Sequence, residues 1–173
     1  MQLFRGKSGN LDDARLGVRA MKCVVQRVSG ARLEVAGQSV AAFEGSGLVV
    51  LAGLEEIDTL DDARWAAEKL VHLRIFPDDS GKMNRSVIDI AGAVLLVPNF
   101  TLAGDAAKGR RPSFDKAMKP DLSEPMFEHF VAHVRTLCAR THQGVFRAHM
   151  QVTFTNDGPI TILLDSRDRQ RST

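Results

Sequence analysis

Histidines and glycines are the first residues in this chain whose spacing could support chemistry. His129 and His133 stand four residues apart on a predicted helix, which is the spacing of two metal ligands. The glutamate of an HExxH motif is missing, however, and no third ligand is evident, so a solvated helix face is the favoured interpretation. Gly45-Ser46-Gly47 precedes a strand where a phosphate-binding loop needs a helix, which indicates an ordinary turn. We therefore expect no metal and no cofactor.

Nucleophilic catalysis of the usual serine-hydrolase type also finds no support. The remaining histidines, His72, His142 and His149, form no defensible Ser-His-Asp arrangement, and the G-x-S-x-G motif is absent. A conventional triad is not expected.

A short basic cluster is the main charged feature. Lys108, Arg110 and Arg111 lie in a predicted loop, where they could neutralise the phosphates of a nucleic acid. A solvated basic loop explains them equally well. The net charge is only +2 with a pI near 8.7, so any polyanion would be met by a local patch and not by a global field.

Composition narrows the class of protein. The 173 residues are 44% hydrophobic and 25% charged, as in one soluble globular domain. No run of eighteen apolar residues and no targeting signal occur, so we expect no membrane span and a cytoplasmic location. Cys23 and Cys138 match no zinc or redox spacing, which indicates reduced thiols.

The two ends of the chain differ from the middle. Convincing strands begin only after Met21, which predicts a disordered extension over residues 1–20 and makes Met21 a candidate start. The stretch 167–173 has no apolar residue, which predicts a charged flexible tail. The single domain would then span residues 21–166.

Hydrophobic periodicity predicts a mixed α+β domain with two main helices. The first helix should begin near Asp58 or Thr59 and end near Leu73, and the second should begin with Ser123 as its cap. The order of elements has few crossover helices, which favours a largely antiparallel sheet. β-rich runs predict strands at 22–28, 32–35, 38–43, 48–52 and 93–97, and a final hairpin of 145–155 with 160–164.

The turn of that final hairpin carries the strongest motif, Asn156-Asp157-Gly158-Pro159. Taken alone it predicts a trans turn proline, because X-Pro bonds are rarely cis. It occurs, however, together with Gln26-Arg27-Val28, Gly81-Lys82-Met83-Asn84, Asn99-Phe100-Thr101-Leu102 and Arg111-Pro112-Ser113-Phe114. At these residues the chain resembles the D-aminoacyl-tRNA deacylase (D-tyrosyl-tRNA deacylase) family, in register from about Met21 to Asp165.

The resemblance implies a homodimer of β-barrel-like subunits that acts on aminoacyl-tRNA at or near the subunit interface. A Gly-cisPro element of one subunit, matched here by Gly158 and Pro159, reaches into the active site of the other. The family's Ser-Gln-Phe-Thr-Leu segment is matched at Phe100, Thr101 and Leu102. The chain departs from it at Pro98 and Asn99, which replace the serine and the glutamine.

The activity of this family implies a role for each matched residue. Backbone N–H groups around Phe100 and Thr101 would hold the carbonyl of an ester between a D-amino acid, or glycine, and the 3′-terminal ribose. Asn99 and Thr101 would orient it, and Gly158 and Pro159 would exclude L side chains.

Three further assignments complete the expected site. Arg27 would brace the Gly158-Pro159 loop across the dimer. Met150 would line the pocket, although a core position explains it equally well. Lys108, Arg110 and Arg111 would contact tRNA.

Two alternatives stay open. One is an editing domain of similar fold that removes misacylated L-amino acids from tRNA. The other is a non-enzymatic module that binds nucleic acid through Lys108–Arg111, with salt-sensitive affinity and no turnover.

Overall fold

The computed structural model describes residues 21–171, and the predicted disordered extension over residues 1–20 lies outside this range. Over this range the chain forms seven strands, two α-helices and two 3-10 helices. In order they are β1 Lys22–Val35, β2 Gln38–Gly53, α1 Leu60–Val71, β3 Phe76–Pro77, β4 Met83–Arg85, β5 Ala93–Pro98, a 3-10 helix Phe100–Ala103, α2 Pro120–Leu137, β6 Thr141–Gln143, β7 Met150–Asp165 and a 3-10 helix Ser166–Arg171.

The first two strands are longer than the sequence predicted. The four separate runs expected between residues 22 and 52 form only β1 and β2, an antiparallel hairpin. Its turn is Ala36-Gly37, and both residues have positive φ, as a two-residue hairpin turn requires. The expected breaks are absorbed as register shifts, one of them between Val28 and Gly30. Glycines in these runs bend the strands and do not end them.

One five-stranded sheet organises the domain, with the strand order β6-β5-β2-β1-β7. β1 is antiparallel to both β2 and β7, whereas β5 is parallel to β2 and to β6. The mixed α+β class and the two main helices are thereby confirmed. Within the described range the sheet is open, with β6 and β7 as its edges, so the barrel-like description receives only loose support.

β7 corrects the predicted C-terminal hairpin. Asn156–Pro159 is no turn between two strands, because both flanking segments continue in one direction along β1. Val28 pairs with Asn156 and Gln26 with Thr161, so residues 157–160 of β7 lie opposite Arg27 alone. The segment is therefore a wide bulge. A central strand as long as β1 can pair with both flanks, which a pattern of turn residues does not reveal.

The two helices cover one face of the sheet. α1 begins after Thr59, whose backbone N–H and hydroxyl both donate to the Asp62 carboxylate, at 2.9 and 2.6 Å. α2 begins at Pro120 and not after Ser123, because proline suits the first helical position, where no N–H partner is needed. Ser123 is instead a buried residue of the first turn. The start of α2 was thus predicted too late.

Two clusters of buried side chains fill the domain, one on each face of the sheet. The larger one packs both helices on the sheet through residues such as Leu70, Phe127 and Phe130. The smaller one lies on the other face, around Leu33 and Val49. Both cysteines are free and buried, and burial raises the pKa of the Cys23 thiol to about 12.

The C-terminal segment also differs from expectation. Ser166–Arg171 is a short 3-10 helix, where the sequence predicted a flexible tail from residue 167. Ser166 anchors its start, since the Met21 N–H donates to the serine hydroxyl at 2.9 Å and the Ser166 N–H donates to the Met21 carbonyl at 3.0 Å. None of the helices between residues 21 and 171 has the length and apolar character needed to cross a membrane.

The helix–sheet layer should carry most of the stability. Phe130 is fully buried in the larger cluster, so Phe130→Ala should lower the free energy of unfolding by about 3–5 kcal/mol. Leu122 on the same helix is 61% exposed, and Leu122→Ala should change it by less than about 0.5 kcal/mol. Urea denaturation followed by circular dichroism measures both, and equal effects would contradict this packing.

Candidate functional site

A cavity of about 810 Å³ opens at the ends of β2 and β5. Four of the predicted site residues, Asn99, Phe100, Thr101 and Met150, line it together. The remaining lining comes from β2, β5 and β7, the loop before α2, the first half of α2 and the turn before β7. Its residues are Leu51, Ala52, Leu54, Val97, Pro98, Phe114, Ala117, Met118, Lys119, Pro120, Ser123, Phe127, Phe146, Arg147, Ala148, His149 and Val152. The volume suits a small organic ligand.

Asn99 builds the floor of this cavity. The Asn99 N–H donates to the Ala52 carbonyl at 2.8 Å, which ties the end of β5 to β2. Its side-chain oxygen then accepts two hydrogen bonds from Thr101, one from the backbone N–H at 3.2 Å and one from the hydroxyl at 2.5 Å. Asn99 thus caps the 3-10 helix that begins at Phe100. An asparagine two residues ahead of a threonine has the reach for this local arrangement.

These bonds decide which groups remain for a ligand. The Thr101 N–H is engaged by Asn99, which corrects the expectation that both backbone N–H groups face an ester carbonyl. Among the described residues no acceptor partners the Phe100 N–H, so that donor remains available. Because the Thr101 hydroxyl gives its proton to Asn99, its lone pairs are left as acceptors. The site therefore offers one donor and one acceptor on adjacent residues.

The proline that replaces the family's serine at position 98 has little effect on the hydrogen bonds between β5 and β2. Pro98 is the last residue of β5 and lies opposite Ala52. Its missing N–H falls at the strand end, where a ladder bond is most easily lost.

Gly53 is a site residue that the sequence did not reveal. It ends β2 directly beneath the 3-10 helix, and a Cβ there would lie 2.7 Å from Leu102 Cβ and 3.0 Å from the Asn99 carbonyl oxygen. Only glycine lets the turn pack this closely on the strand. No local signal marks it, because its contacts come from residues more than forty positions away.

Two aromatic side chains stand at the mouth of the cavity. The rings of Phe100 and Phe114 meet edge to face, with centroids 5.2 Å apart. Phe100 is nevertheless 60% exposed, which is unusual for a large apolar side chain on a rigid turn. The pair joins two separated sequence motifs at one edge of the site.

Met150 combines the two roles considered for it. It lines the cavity, and it also packs against the smaller core cluster. Gly144 gives it room, since a Cβ at Gly144 would lie 2.8 Å from the Met150 sulfur.

Gly158 and Pro159 lie elsewhere in the same chain. Their peptide bond is cis, both residues are exposed in the β7 bulge, and neither lines the cavity. Arg27 holds the bulge: its Nε lies 3.1 Å from the Asp157 carbonyl oxygen and 3.0 Å from the Asp157 carboxylate, while Nη1 donates to the Ile75 carbonyl at 2.7 Å. These contacts are formed within one chain, and bracing of the loop across a dimer stays a prediction.

The basic cluster forms the tip of a loop beside the mouth. Asp105 and Ser113 close the base of this loop with two backbone hydrogen bonds of 2.8 Å. The Ala107 N–H and the Lys116 ammonium hold the pKa of the Asp105 carboxyl below its usual value. Lys108, Arg110 and Arg111 are exposed and do not line the cavity.

The histidine pair on α2 lies apart from this site. His129 and His133 line a second, smaller cavity of about 280 Å³ between the helices, where His133 Nε2 is 3.1 Å from a Glu68 carboxylate oxygen. Within residues 21–171 no three His, Cys, Asp or Glu side chains are grouped so that they could hold a metal ion.

Fold and site together define a mixed α+β protein whose cavity is lined by a residue with a backbone N–H that is unpartnered within the described range and by one with an oriented hydroxyl. Residues 24–165 match the model of the D-Tyr-tRNA(Tyr) deacylase family, and the chain belongs to that family.

Curated relatives agree with this assignment. A D-aminoacyl-tRNA deacylase of Geobacter sulfurreducens is 52% identical over 153 residues, which cover 88% of this chain and all of the relative. A D-aminoacyl-tRNA deacylase of Thermus aquaticus is 49% identical over 149 residues, which cover 86% of this chain and 97% of the relative.

Solved structures extend the comparison. One titled c-Myc DNA Unwinding Element Binding Protein has a TM-score of 0.79 and 38% identity, over 83% of this chain and 97% of its own. Another, a probable eukaryotic D-amino acid tRNA deacylase, has a TM-score of 0.74 over 84% of this chain and 99% of its own. Its 20% identity supports the fold alone.

Gly53 offers a test of the floor of the cavity. Gly53→Ala should lower the kcat of aminoacyl ester hydrolysis by about tenfold to a hundredfold, because the Cβ displaces the Asn99–Leu102 turn and misplaces its groups. Gly81→Ala is the matched control: it is strained by a positive φ in open space, away from the cavity. It should lower the melting temperature without lowering kcat. Full activity of Gly53→Ala would show that the turn tolerates displacement.

Proposed function

We propose that this protein is a D-aminoacyl-tRNA deacylase, which hydrolyses the ester between a D-amino acid, or glycine, and the 3′-terminal ribose of tRNA. One observation carries the proposal: in a chain from this family, the Phe100 N–H, unpartnered among the described residues, and the Asn99-oriented Thr101 hydroxyl belong to adjacent residues that line the cavity. Its place of action would be the cytoplasm, where aminoacyl-tRNA is found.

The chemistry asks for positioning more than for a strong nucleophile, because an aminoacyl ester is already activated. The Phe100 N–H would stabilise the oxyanion that forms when water attacks the carbonyl carbon. The Thr101 lone pairs would accept a hydrogen bond from that water or from the ribose 2′-hydroxyl. The ester C–O bond then breaks, the ribose oxygen takes a proton, and the free amino acid leaves. Thr101 serves here as an orienting residue and not as the nucleophile.

Selection between enantiomers is assigned to Gly158 and Pro159. Their carbonyl oxygens would receive the α-ammonium group of the substrate. An L side chain would then strike the backbone wall, whereas a D side chain would extend to solvent. Glycine, which has no side chain to exclude, would also be accepted.

A second copy of the chain would supply this wall. Gly158 and Pro159 do not line the cavity of their own chain, although they are exposed and held rigidly by Arg27. If Pro159 of each copy enters the cavity of the other copy, the two copies are related by a two-fold axis. The same surface patch of each copy then forms both sides of the interface near that axis.

That surface has an apolar row suited to self-association. Leu163, Val24, Leu51 and Val97 are cross-strand neighbours on β7, β1, β2 and β5, so their side chains share one face. The row leads from Leu163, which is 74% exposed, to Leu51 and Val97 in the cavity wall. An exposed leucine in a row that continues into an active site is best explained by a covering copy.

Two competing functions predict different behaviour. An editing domain for L-amino acids would release L-esters and needs a closed side-chain pocket. A nucleic-acid-binding module without turnover is favoured by the DNA-binding title of one similar structure and by the exposed Lys108, Arg110 and Arg111, which we otherwise assign to tRNA contact.

The deciding experiment compares enantiomers on one tRNA. Purified protein is incubated with matched D- and L-aminoacyl-tRNA and with glycyl-tRNA, and the release of amino acid is followed. We expect the D-ester and the glycyl ester to be hydrolysed at least about a hundredfold faster than the L-ester, because a clash with fixed backbone excludes the L side chain. Faster release of the L-ester, or salt-sensitive binding with no release, refutes the proposal.

The dimer is tested at Leu163. Leu163→Asp should weaken self-association by roughly a hundredfold or more, because an isologous contact brings two carboxylates together, and turnover should be lost with it. Leu122→Asp is the matched control, since Leu122 is 61% exposed on α2 and away from the row. Sedimentation velocity and single-turnover rates measure both variants.

Complementation separates a shared site from a merely structural dimer. Pro159→Arg removes the wall and Gly53→Ala disturbs the cavity floor, so each homodimer should be impaired. A mixed dimer contains one intact cavity facing one intact wall and should regain activity. No recovery on mixing would mean that wall and cavity do not act across the interface.

A further inference from the structure

Three basic side chains line the cavity at its opening. Lys119, Arg147 and His149 are all exposed lining residues, so they must stand where the cavity meets solvent. Among the described residues none of them forms an ion pair with an acidic side chain. Lys116 nearby is different, because it is paired with Asp105 at 3.3 Å. The opening therefore carries two cations, Lys119 and Arg147, that no acidic side chain of the described residues neutralises.

Arg147 is held in place by its backbone. Its φ is +60°, a left-handed conformation that is uncommon for residues other than glycine, asparagine and aspartate. The turn is anchored on both sides: the Gly144 N–H donates to the Leu96 carbonyl at 2.8 Å, and the Ala148 N–H donates to the Val145 carbonyl at 3.3 Å. The fold therefore fixes the backbone at Arg147, and its exposed side chain lines the cavity without a salt bridge.

We infer that Arg147, together with Lys119, binds the phosphate that links the terminal nucleotide of the tRNA to the preceding one. This inference rests on the proposed function. The guanidinium offers two parallel N–H donors to a phosphate, and the lysine adds a point charge. The α-carboxyl of the substrate is consumed in the ester, so the RNA phosphates are the anionic groups that every such substrate carries.

The same charges orient the substrate. The α-ammonium of the amino acid is repelled by Arg147 and Lys119, so it turns away from these two side chains. In the proposed dimer the carbonyl oxygens of Gly158 and Pro159 of the second copy would receive it.

The more remote basic loop has a different task. Lys108, Arg110 and Arg111 are exposed but lie outside the cavity lining, so they meet phosphates further along the acceptor strand. The two groups of cations should therefore contact different parts of the RNA: Arg147 and Lys119 the CCA end, and Lys108, Arg110 and Arg111 the acceptor strand beyond it.

The test uses D-amino acid esters of adenosine, of the trinucleotide CCA and of whole tRNA. Arg147→Asn removes the charge with a residue that tolerates positive φ, and Arg147→Gly checks that backbone relief is not the cause. Both should raise the ratio of KM for the CCA ester to KM for the adenosine ester by about fivefold to tenfold, since only the former has internucleotide phosphates. The slope of log KM against log salt for tRNA should fall by about one.

The controls distinguish the alternatives. Arg64→Asn removes an exposed arginine on α1 outside this cavity and should leave the ratio unchanged. Replacing Lys108, Arg110 and Arg111 together should raise KM for tRNA but not the CCA-to-adenosine ratio. The inference is overturned if Arg147→Asn leaves the CCA-to-adenosine ratio of KM unchanged. It is also overturned if this substitution raises KM for the adenosine ester as much as KM for the CCA ester.

A binding arm keeps the outcome separate from that of the proposed function. If the wild-type protein hydrolyses none of the esters, the proposed function fails. The affinity of a labelled RNA hairpin ending in CCA then decides the phosphate contact. A fivefold to tenfold weaker affinity in Arg147→Asn supports it, and equal affinity overturns it.

Discussion

The pairing of β1 on both of its edges is the constraint on which the rest of the structure depends. This strand forms antiparallel ladders with β2 and β7 over most of its length, so most of its backbone groups are satisfied within the sheet. Because β2 is fixed in this way, β5 can add to it in parallel and end at Pro98, where the site begins. Because β7 is fixed as well, its surplus residues must bulge outward opposite Arg27.

Both functional segments are consequently irregular pieces attached to regular strands. The turn after β5 is held by the Asn99 side chain and by the absence of a Cβ at Gly53. The β7 bulge is held by Arg27, whose side chain is only 12% exposed and bridges Asp157 and Ile75. A site built from backbone groups needs such rigid support, because an unsupported turn would not keep a donor in place.

The distribution of charge and apolar surface gives the site a direction. Two cations without an ion pair in the described part of the chain, Lys119 and Arg147, stand at the opening, and an apolar row leads from the cavity wall toward Leu163. In the proposed dimer the first takes the nucleotide and the second is covered by the partner copy. The exposure of Phe100 fits the same arrangement, since this residue also lines the cavity.

The sequence by itself determined the α+β class, the two helices, β5 and the residues of the cavity turn, because hydrophobic periodicity and short motifs are local properties. It could not show that the four strands predicted between residues 22 and 52 form only two, or that Asn156–Pro159 is a bulge. Both depend on pairing with β1, and the bulge contacts a residue 130 positions away in the sequence. For the same reason the sequence did not indicate that Gly53 and Arg147 belong to the site. Their importance lies in contacts and backbone angles that exist only once distant strands have come together.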